Sequence, residues 1–478
     1  MKSKPRIPKY IIIKNQLLEE IKQGVYAVGE AIPSDNELMR NLSVSKSTIT
    51  QALKSLESEG YISRQQGRGS FVLPRPQSKV VLNLSICPME HEEEQFWTSL
   101  VNEFNQTSQD FQISLTFLSN QNAPLRDILF QSFASGNAPD LFSLDGPDVP
   151  YWAYMNSLLP LDDYLPESFL GTFIEPILQQ GTFRGHIYHL GYTESTLCIL
   201  YNKELFSSLG IPVPKTLEEA WSWDEFTDIC SYLKKHTSVP YPLLMDSGRG
   251  LSPRLGEWLT FSGLPFIYQN NGSLFSPDFS RTEGYINSPE TVAAMEWLGN
   301  LFHKYHYTHT ENISSSFPGS FAMSLSLPSA YFQAAKQCDT IGILPLPHAR
   351  CIATPHGSWG LCMSRQTKYP ELCAEFLKYV FNFQNQLKIS RYTGMPVIKD
   401  IYDAMESFHA VSNQSNILFS QLRTCSFTRP QTPAYPFFSK QFSYAYYNIA
   451  QGDDPKKELD LLARLTDDHL YRHNYYNL

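Results

Sequence analysis

Apolar residues fall in two different rhythms along this chain, and the rhythm changes near residue 80. In the first part the period is helical. Tyr10, Ile13, Leu17, Leu18 and Ile21 mark one face of a helix that stops at Gly24. Ser34 precedes Glu37 at the spacing where hydroxyl and carboxylate each satisfy an exposed amide at a helix start, and Leu38 and Leu42 give the short helix that follows its apolar face. Ser45 can cap a further helix, in which Ile49, Ala52, Leu53 and Leu56 recur at i, i+3, i+4 and i+7. Gly60 ends it. Residues 61–64 and 70–73 alternate like two short strands around Gln65-Gln66-Gly67-Arg68-Gly69, which puts Arg68 on a hairpin tip.

The face opposite Ile49 and Leu53 carries Lys46, Ser47, Thr50, Gln51 and Lys54, side chains that can donate to phosphates and base edges from a major groove. A cation at the hairpin tip suits a minor groove or a phosphate. The motifs IPSDNEL, VSKSTITQAL, LESEGYI and GRGSFV follow one another here, and over roughly the first 75 residues the chain resembles the GntR family of bacterial transcription regulators. The resemblance implies a winged helix-turn-helix, with DNA-binding positions at Ser34, Asn36, Ser45, Lys46, Ser47, Thr48, Thr50, Gln51, Gly67, Arg68 and Gly69. Family members usually carry arginine where this chain has Asn36, Lys46 and Thr50. Arginine grips guanine bidentately and lysine is a point charge, so base readout is expected to differ. Phosphate contacts carry over to Ser34, Ser45 and Thr48 more readily than base contacts to Lys46, Thr50 and Gln51.

Residues 74–79, Pro-Arg-Pro-Gln-Ser-Lys, read as a fairly stiff linker. Beyond it strands and helices alternate. Val80, Leu82, Leu84 and Ile86 alternate in and out, Phe96, Trp97, Leu100, Val101 and Phe104 run at helical spacing, and Ile113, Leu115 and Phe117 alternate again, a βαβ unit. Leu125, Ile128, Leu129 and Phe133 predict another helix, and 141–144 a strand ending at Asp145. Ligands of open parallel sheets are met beyond the carboxyl ends of strands, so loops 87–91 and 118–122 and Asp145 share one expected mouth.

A second resemblance rests on ASGNAPDLFSLDG, LPLDDY, TLCILYNKELFSSLGIPVPKT with WSWDEF, PGSFAMSL, IGILPLPH, GSWGLCMS and YTGMPV, in that order. Residues 80–478 are similar to family 1 extracellular solute-binding proteins, the sugar-capturing components of bacterial ABC importers. The resemblances together imply a multidomain chain: an α+β winged helix-turn-helix at 1–73, a linker at 74–79, and at 80–478 an α/β two-lobed, periplasmic-binding-protein-like effector domain of type II. A sugar pocket needs carboxylates, amides and aromatic platforms. The resemblance puts Asp145, Trp152, Tyr192, Glu194, Ser195, Trp258, Tyr331, Gly357 and Trp359 at such positions, with 357–360 the strongest local segment.

Charge divides at the same place as the rhythm. Residues 1–79 hold 13 Lys/Arg and 7 Asp/Glu, a net +6, while the rest of the chain carries −15. A basic head on an acidic body fits nucleic-acid binding by the head alone. The eight cysteines include no CxxC pair and read as reduced, buried thiols of a cytoplasmic protein, with no metal site among them. No apolar run is long enough for a secretory signal or a membrane span. His303, His306 and His309 share no clean helical face, so they read as ordinary surface and core histidines, and Asp162-Asp163 and Asp453-Asp454 as turn and capping residues. No aldimine-lysine segment of the aminotransferase type is found, no cofactor is expected, and the chain is not read as an enzyme. The expectation is a cytoplasmic regulator that binds double-stranded operator DNA as a homodimer and answers to a sugar or oligosaccharide, without membrane contact. The alternatives are a sugar-binding component of an ABC transport system and, further off, a pyridoxal-phosphate regulator.

Overall fold

The computed structural model describes residues 8–65, 68–73, 79–88, 91–119, 125–245, 251–253, 256–311, 321–335, 339–393, 395–412 and 416–476, with 392–393 and 406–412 by backbone only. The chain forms two compact units, Met1–Val81 with Thr107–Gln112, and Leu82–Gln106 with Ile113–Leu478.

In the first unit helices α1 (Lys9–Lys22), α2 (Asp35–Leu42) and α3 (Lys46–Ser58) precede an antiparallel pair, β1 (Ile62–Gln65) and β2 (Gly69–Val72). The capping box forms as its spacing requires: Ser34 Oγ accepts from the Glu37 amide at 3.3 Å, and the Glu37 carboxylate accepts from the Ser34 amide at 2.7 Å. Ser43 ends α2 with a left-handed φ of 52°, which turns the chain into Ser45, the cap of α3. The helical stripes meet in one core of Ile13, Leu17, Leu38, Ile49, Ala52, Leu53 and Leu56, closed by Ile62 and Val72 of the hairpin. Two ion pairs fix the elements to one another. Lys14, 1% exposed, meets Glu59 at 2.8 Å, and Arg64 of β1 reaches Asp35 of α2 at 2.7 Å.

The strands that follow, the first two of which begin in the first unit and continue in the larger one, are β3 (Val80–Ile86), β4 (Phe111–Phe117), β5 (Leu141–Asp145), β6 (Thr182–Phe183), β7 (His186–Ile187), β8 (His189–Gly191), β9 (Cys198–Asn202), β10 (Tyr241–Leu244), β11 (Phe321–Ser326), β12 (Ile341–Leu344), β13 (Thr354–Pro355), β14 (Trp359–Met363) and β15 (Ser426–Phe427). One sheet runs β4-β3-β5-β14-β8, the other β10-β11-β9-β12. These sheets are the centres of two lobes. β3 and β5 are parallel, whereas β14 is antiparallel to both of its neighbours; in the second sheet β9 is antiparallel to β11 and β12. Both reversed strands are entered from the other lobe: β9 follows β8 directly, and β14 follows β12 and β13. The first lobe places α4 (His91–Thr107) and α5 (Leu125–Ala134) beside its sheet, with Phe96, Trp97, Leu100, Val101 and Phe104 buried as their spacing predicts. The second lobe buries the helices Glu257–Gln269, Pro289–His303, Tyr435–Gln451 and Pro455–Arg472 in one large core.

Burial of the thiols is not uniform. Cys87, Cys198, Cys230, Cys362 and Cys373 are buried and Cys425 is half-buried, but Cys351 is exposed; all of these are free thiols, and Cys338 lies outside the described residues. His309 is turned into the core between Tyr241 and Phe321, while His303 and His306 face solvent. Among the described residues no group of three or more His, Cys, Asp or Glu is arranged to hold a metal ion, and no helix is long and apolar enough to cross a membrane.

Candidate functional site

On α3 the core residues Ile49, Ala52, Leu53 and Leu56 occupy one side, so the polar set is left facing out. Lys46, Ser47 and Gln51 are exposed and Thr50 is half-buried, on successive turns of that face; Asn36 is exposed on α2. Ser34 and Ser45 spend part of their hydrogen-bonding capacity locally. Ser45 Oγ lies 2.8 Å from Thr48 Oγ1 and 2.9 Å from Ser47 Oγ, so these three hydroxyls form one cluster at the helix start, where the partial positive charge of the dipole favours an anion. Arg68 and Gly69 are exposed at the turn between β1 and β2, and Gly69 holds a φ of 115° that a side chain would strain. Gly67 lies outside the described residues.

A buried polar cluster lies where the chain of the larger unit passes between lobes. Residues 192–197 leave β8 for β9, residues 354–358 return from β13 to β14, and residues 426–434 lead from β15 to the helix Tyr435–Gln451. These segments are stitched to one another. Ser195 bridges Gly357, Thr196 Oγ1 lies 2.8 Å from Thr354 Oγ1, and β13 pairs with β15. Glu194, 1% exposed, accepts from the amides of Ser195 at 2.7 Å and Gly357 at 2.8 Å through one oxygen; its other oxygen makes no hydrogen bond and faces His356 Nδ1 at 3.9 Å. Burial raises the Glu194 carboxyl to about 7, and the two amides only partly oppose it. Burial likewise lowers His356 to about 3, assisted by Arg429, and His189 to about 4, so both rings are neutral at neutral pH.

Arg429 stands at the centre of this junction. Its guanidinium, 2% exposed, forms a fork on Asp145 at 2.7 and 3.1 Å and also donates to Glu257 at 2.7 Å. Asp145 ends β5 of one lobe; Glu257 begins a helix of the other. Glu257 further accepts from Tyr435 Oη and Ser439 Oγ, each at 2.6 Å. Burial acts against the charge of Arg429, but Asp145 and Glu257 hold it firmly protonated. Burial shifts Glu257 upward although 32% of its side chain remains open to solvent, an opening that leaves one flank of the cluster wet. Gly357 is required by this packing: a Cβ there would stand 2.5 Å from Arg429 Nη2. Beside it, Arg126 pairs with Asp148 at 2.8 Å.

The structure gathers Asp145, Glu194, Ser195, Gly357 and Trp359 at the junction, with Trp359 paired to Asp145 across β14 and β5. The other expected side chains are engaged elsewhere, although Tyr192 and Trp258 stand next to junction residues: the Tyr192 amide donates to the Trp359 carbonyl at 2.9 Å, and Trp258 follows Glu257. Trp152 is not a platform: its ring, 1% exposed, is packed with Leu129, Phe142 and Leu144 in the core of the first lobe. Tyr192 is equally enclosed, edge-on to Trp97, and its hydroxyl donates to Glu93 at 2.9 Å, so it serves to position α4. Trp258 donates its indole N–H to the Met245 carbonyl at 3.3 Å, and Tyr331 lies half-buried on the helix Pro328–Ala335, edge-on to Phe332. Arg429, Glu257 and His356 escaped the sequence reading. A signal was present for two of them, because Glu257 is the one charge between Arg254 and Asp278, and Arg429 the one charge between Arg423 and Lys440. A lone charge in an apolar stretch is buried with a partner or held at a surface loop. A surface cavity of about 700 Å³ between α4 and the helix Phe383–Thr393, lined by Phe96, Leu100 and Lys388 among others, shares no residue with the junction.

A winged helix-turn-helix joined to a two-lobed binding-protein fold defines a regulator-type head on a solute-binding body. Residues 99–413 match the model of the bacterial extracellular solute-binding proteins, and the chain belongs to that family. Residues 9–72 match the model of the bacterial regulatory proteins of the gntR family, and neither family is one of enzymes. The probable fructoselysine utilization operon transcriptional repressor of Escherichia coli K12 is 38% identical over 76 residues, 16% of this chain and 31% of that protein. The arabinose metabolism transcriptional repressor of Geobacillus stearothermophilus is 38% identical over 75 residues, 16% of this chain and 21% of that protein. The chain thus spans less than a third of the length of these curated relatives, and the likeness is to their heads. Among solved structures, an ABC transporter solute-binding protein from Thermotoga lettingae bound with α-D-tagatose superposes with a TM-score of 0.70 at 20% identity, covering 82% of this chain and all of that one. The cyclic α-maltosyl-1,6-maltose binding protein of Arthrobacter globiformis gives 0.68 at 20%, covering 83% of this chain and all of that one. At that identity they share the fold.

Proposed function

We propose that this chain is a sequence-specific DNA-binding transcription regulator controlled by a sugar or oligosaccharide held between the lobes of residues 80–478. Residues 1–73 bind operator DNA, 74–79 link, and the protein works in the cytoplasm as a homodimer on a near-palindromic site. The observation that carries the reading is the joining of a gntR-type head and a solute-binding fold in one chain. The junction supplies a means of response, because Arg429 ties a carboxylate of one lobe to a carboxylate of the other. A ligand that favours one lobe arrangement shifts that equilibrium by its differential affinity, and only by that much. Asp145, Glu194, Ser195, Gly357 and Trp359 are the proposed residues nearest the ligand. Ser34, Asn36, Ser45, Lys46, Ser47, Thr48, Thr50, Gln51 and the turn 67–69 form the proposed DNA face.

Thermal unfolding of the full chain against neutral mono- and oligosaccharides tests the sensor. A sugar bound by the native state at about 100 times its dissociation constant adds roughly 2.7 kcal/mol, a plain rise in the melting transition of the body. A panel in which no sugar moves that transition would count against a sugar as the effector.

A further inference from the structure

We propose that the outer face of the C-terminal helix Pro455–Arg472 is the surface on which a second copy of this chain docks, antiparallel, about a two-fold axis near residues 462–463. The inference rests on the homodimer reading above and assigns that dimer an interface in the body. Leu459, Leu462, Ala463, Thr466 and Leu470 of this helix are buried, and its hairpin partner is the helix Tyr435–Gln451, to which Asn448 holds it by a 2.9 Å bond to Glu458. The opposite stripe reads Lys457, Leu461, Arg464, Leu465, Asp468 and Arg472, positions that fall within about a third of the helix circumference. A solvent face of an amphipathic helix is normally charged throughout. Here Leu461 and Leu465 stand 42% and 37% exposed, with Tyr471 at 74% beside the stripe.

Two exposed leucines alone mean little, since single apolar residues are common on surfaces. The order of the charges around them decides the occupant. If the stripe meets its own copy in reverse, Leu461 falls opposite the second copy's Leu465, Lys457 opposite its Asp468, and Arg472 opposite its Asp453 and Asp454, all within one residue of a single register. The contacts of Lys457 and of Arg472 in that register are between opposite signs and two-fold symmetry makes each of them twice, whereas Arg464, beside the axis, meets its own copy as a single like-charge contact. Apart from Arg464 the stripe is complementary to itself. Within one copy Asp468 pairs with Arg472 at 2.8 Å, with both side chains more than half exposed, an arrangement that contributes little and leaves the carboxylate able to serve a facing lysine.

Sedimentation equilibrium of the full chain carries the test. Lys457→Glu and Asp468→Lys each place like charges across the axis twice, and each is expected to weaken dimerisation about 10-fold or more. The double variant exchanges the partners and is expected to recover the wild-type constant to within about two-fold. Leu461→Glu with Leu465→Glu should leave a monomer that is still folded, with an unchanged far-ultraviolet circular dichroism spectrum, since neither side chain is in the core. A tight wild-type dimer that none of these variants disturbs would overturn this face and leave the dimer reading standing. A monomeric wild-type chain would overturn both.

Discussion

Asp145, Glu257 and Arg429 form an arrangement whose value lies in geometry more than in stability. A buried ion pair repays little of its desolvation, yet removing one member leaves an uncompensated charge, so the cluster specifies how the two lobes meet. Glu194 has a different character. Its amide bonds tie two crossing segments, and its free oxygen has no donor, which is why burial dominates and the carboxyl titrates near 7. The folded value lies above that of the unfolded chain, so the native state holds the extra proton. Its contribution is therefore full below the unfolded carboxylate range and is lost as pH rises through about 7. His189 and His356 act with the opposite sign: lowered to about 4 and about 3, they reduce stability as pH falls below the usual imidazole range. Glu194→Gln keeps the acceptor for both amides and removes the proton. Relative to wild type, the variant should gain on the order of 2 kcal/mol between pH 5 and pH 8. Urea unfolding at those two pH values reads this, and an equal difference at both would show that Glu194 does not titrate there. Aromatic residues explain why sequence located this site only in part: nothing in Trp152 or Tyr192 distinguishes a core ring from a platform, since both need the same chemistry and only packing separates them.

At the scale of elements, the head was legible almost residue by residue. Caps at Ser34 and Ser45 and a stripe at Ile49, Ala52, Leu53 and Leu56 are local signals, and the observed α2 and α3 begin where the caps require. The junction was not legible in the same way. Its partners come from residues 145, 194, 257, 356 and 429, distant in sequence, so no period or motif joins them. For the head, the exposed cations of α3 and of the wing turn carry a definite expectation. Lys46→Ala and Arg68→Ala should each weaken DNA binding across sequences and lower the slope of log affinity against log salt by about 1, as loss of one phosphate neutralised requires. Fluorescence anisotropy over a salt series measures it; an unchanged slope for both variants would remove these residues from the phosphate contacts.

The whole molecule joins a basic head to an acidic body, and the change of apolar rhythm near residue 80 falls at the same division. For the proposed function to hold, head and body must be coupled in free energy between DNA and ligand, and such coupling is reciprocal. The most direct measurement is calorimetric titration of a sugar that raises the melting transition into the full chain, alone and saturated with operator duplex, alongside DNA affinity with and without that sugar. The expected result is that operator changes the sugar dissociation constant by the same factor as sugar changes that of the operator, roughly 5- to 150-fold. An identical sugar affinity with and without operator would contradict it.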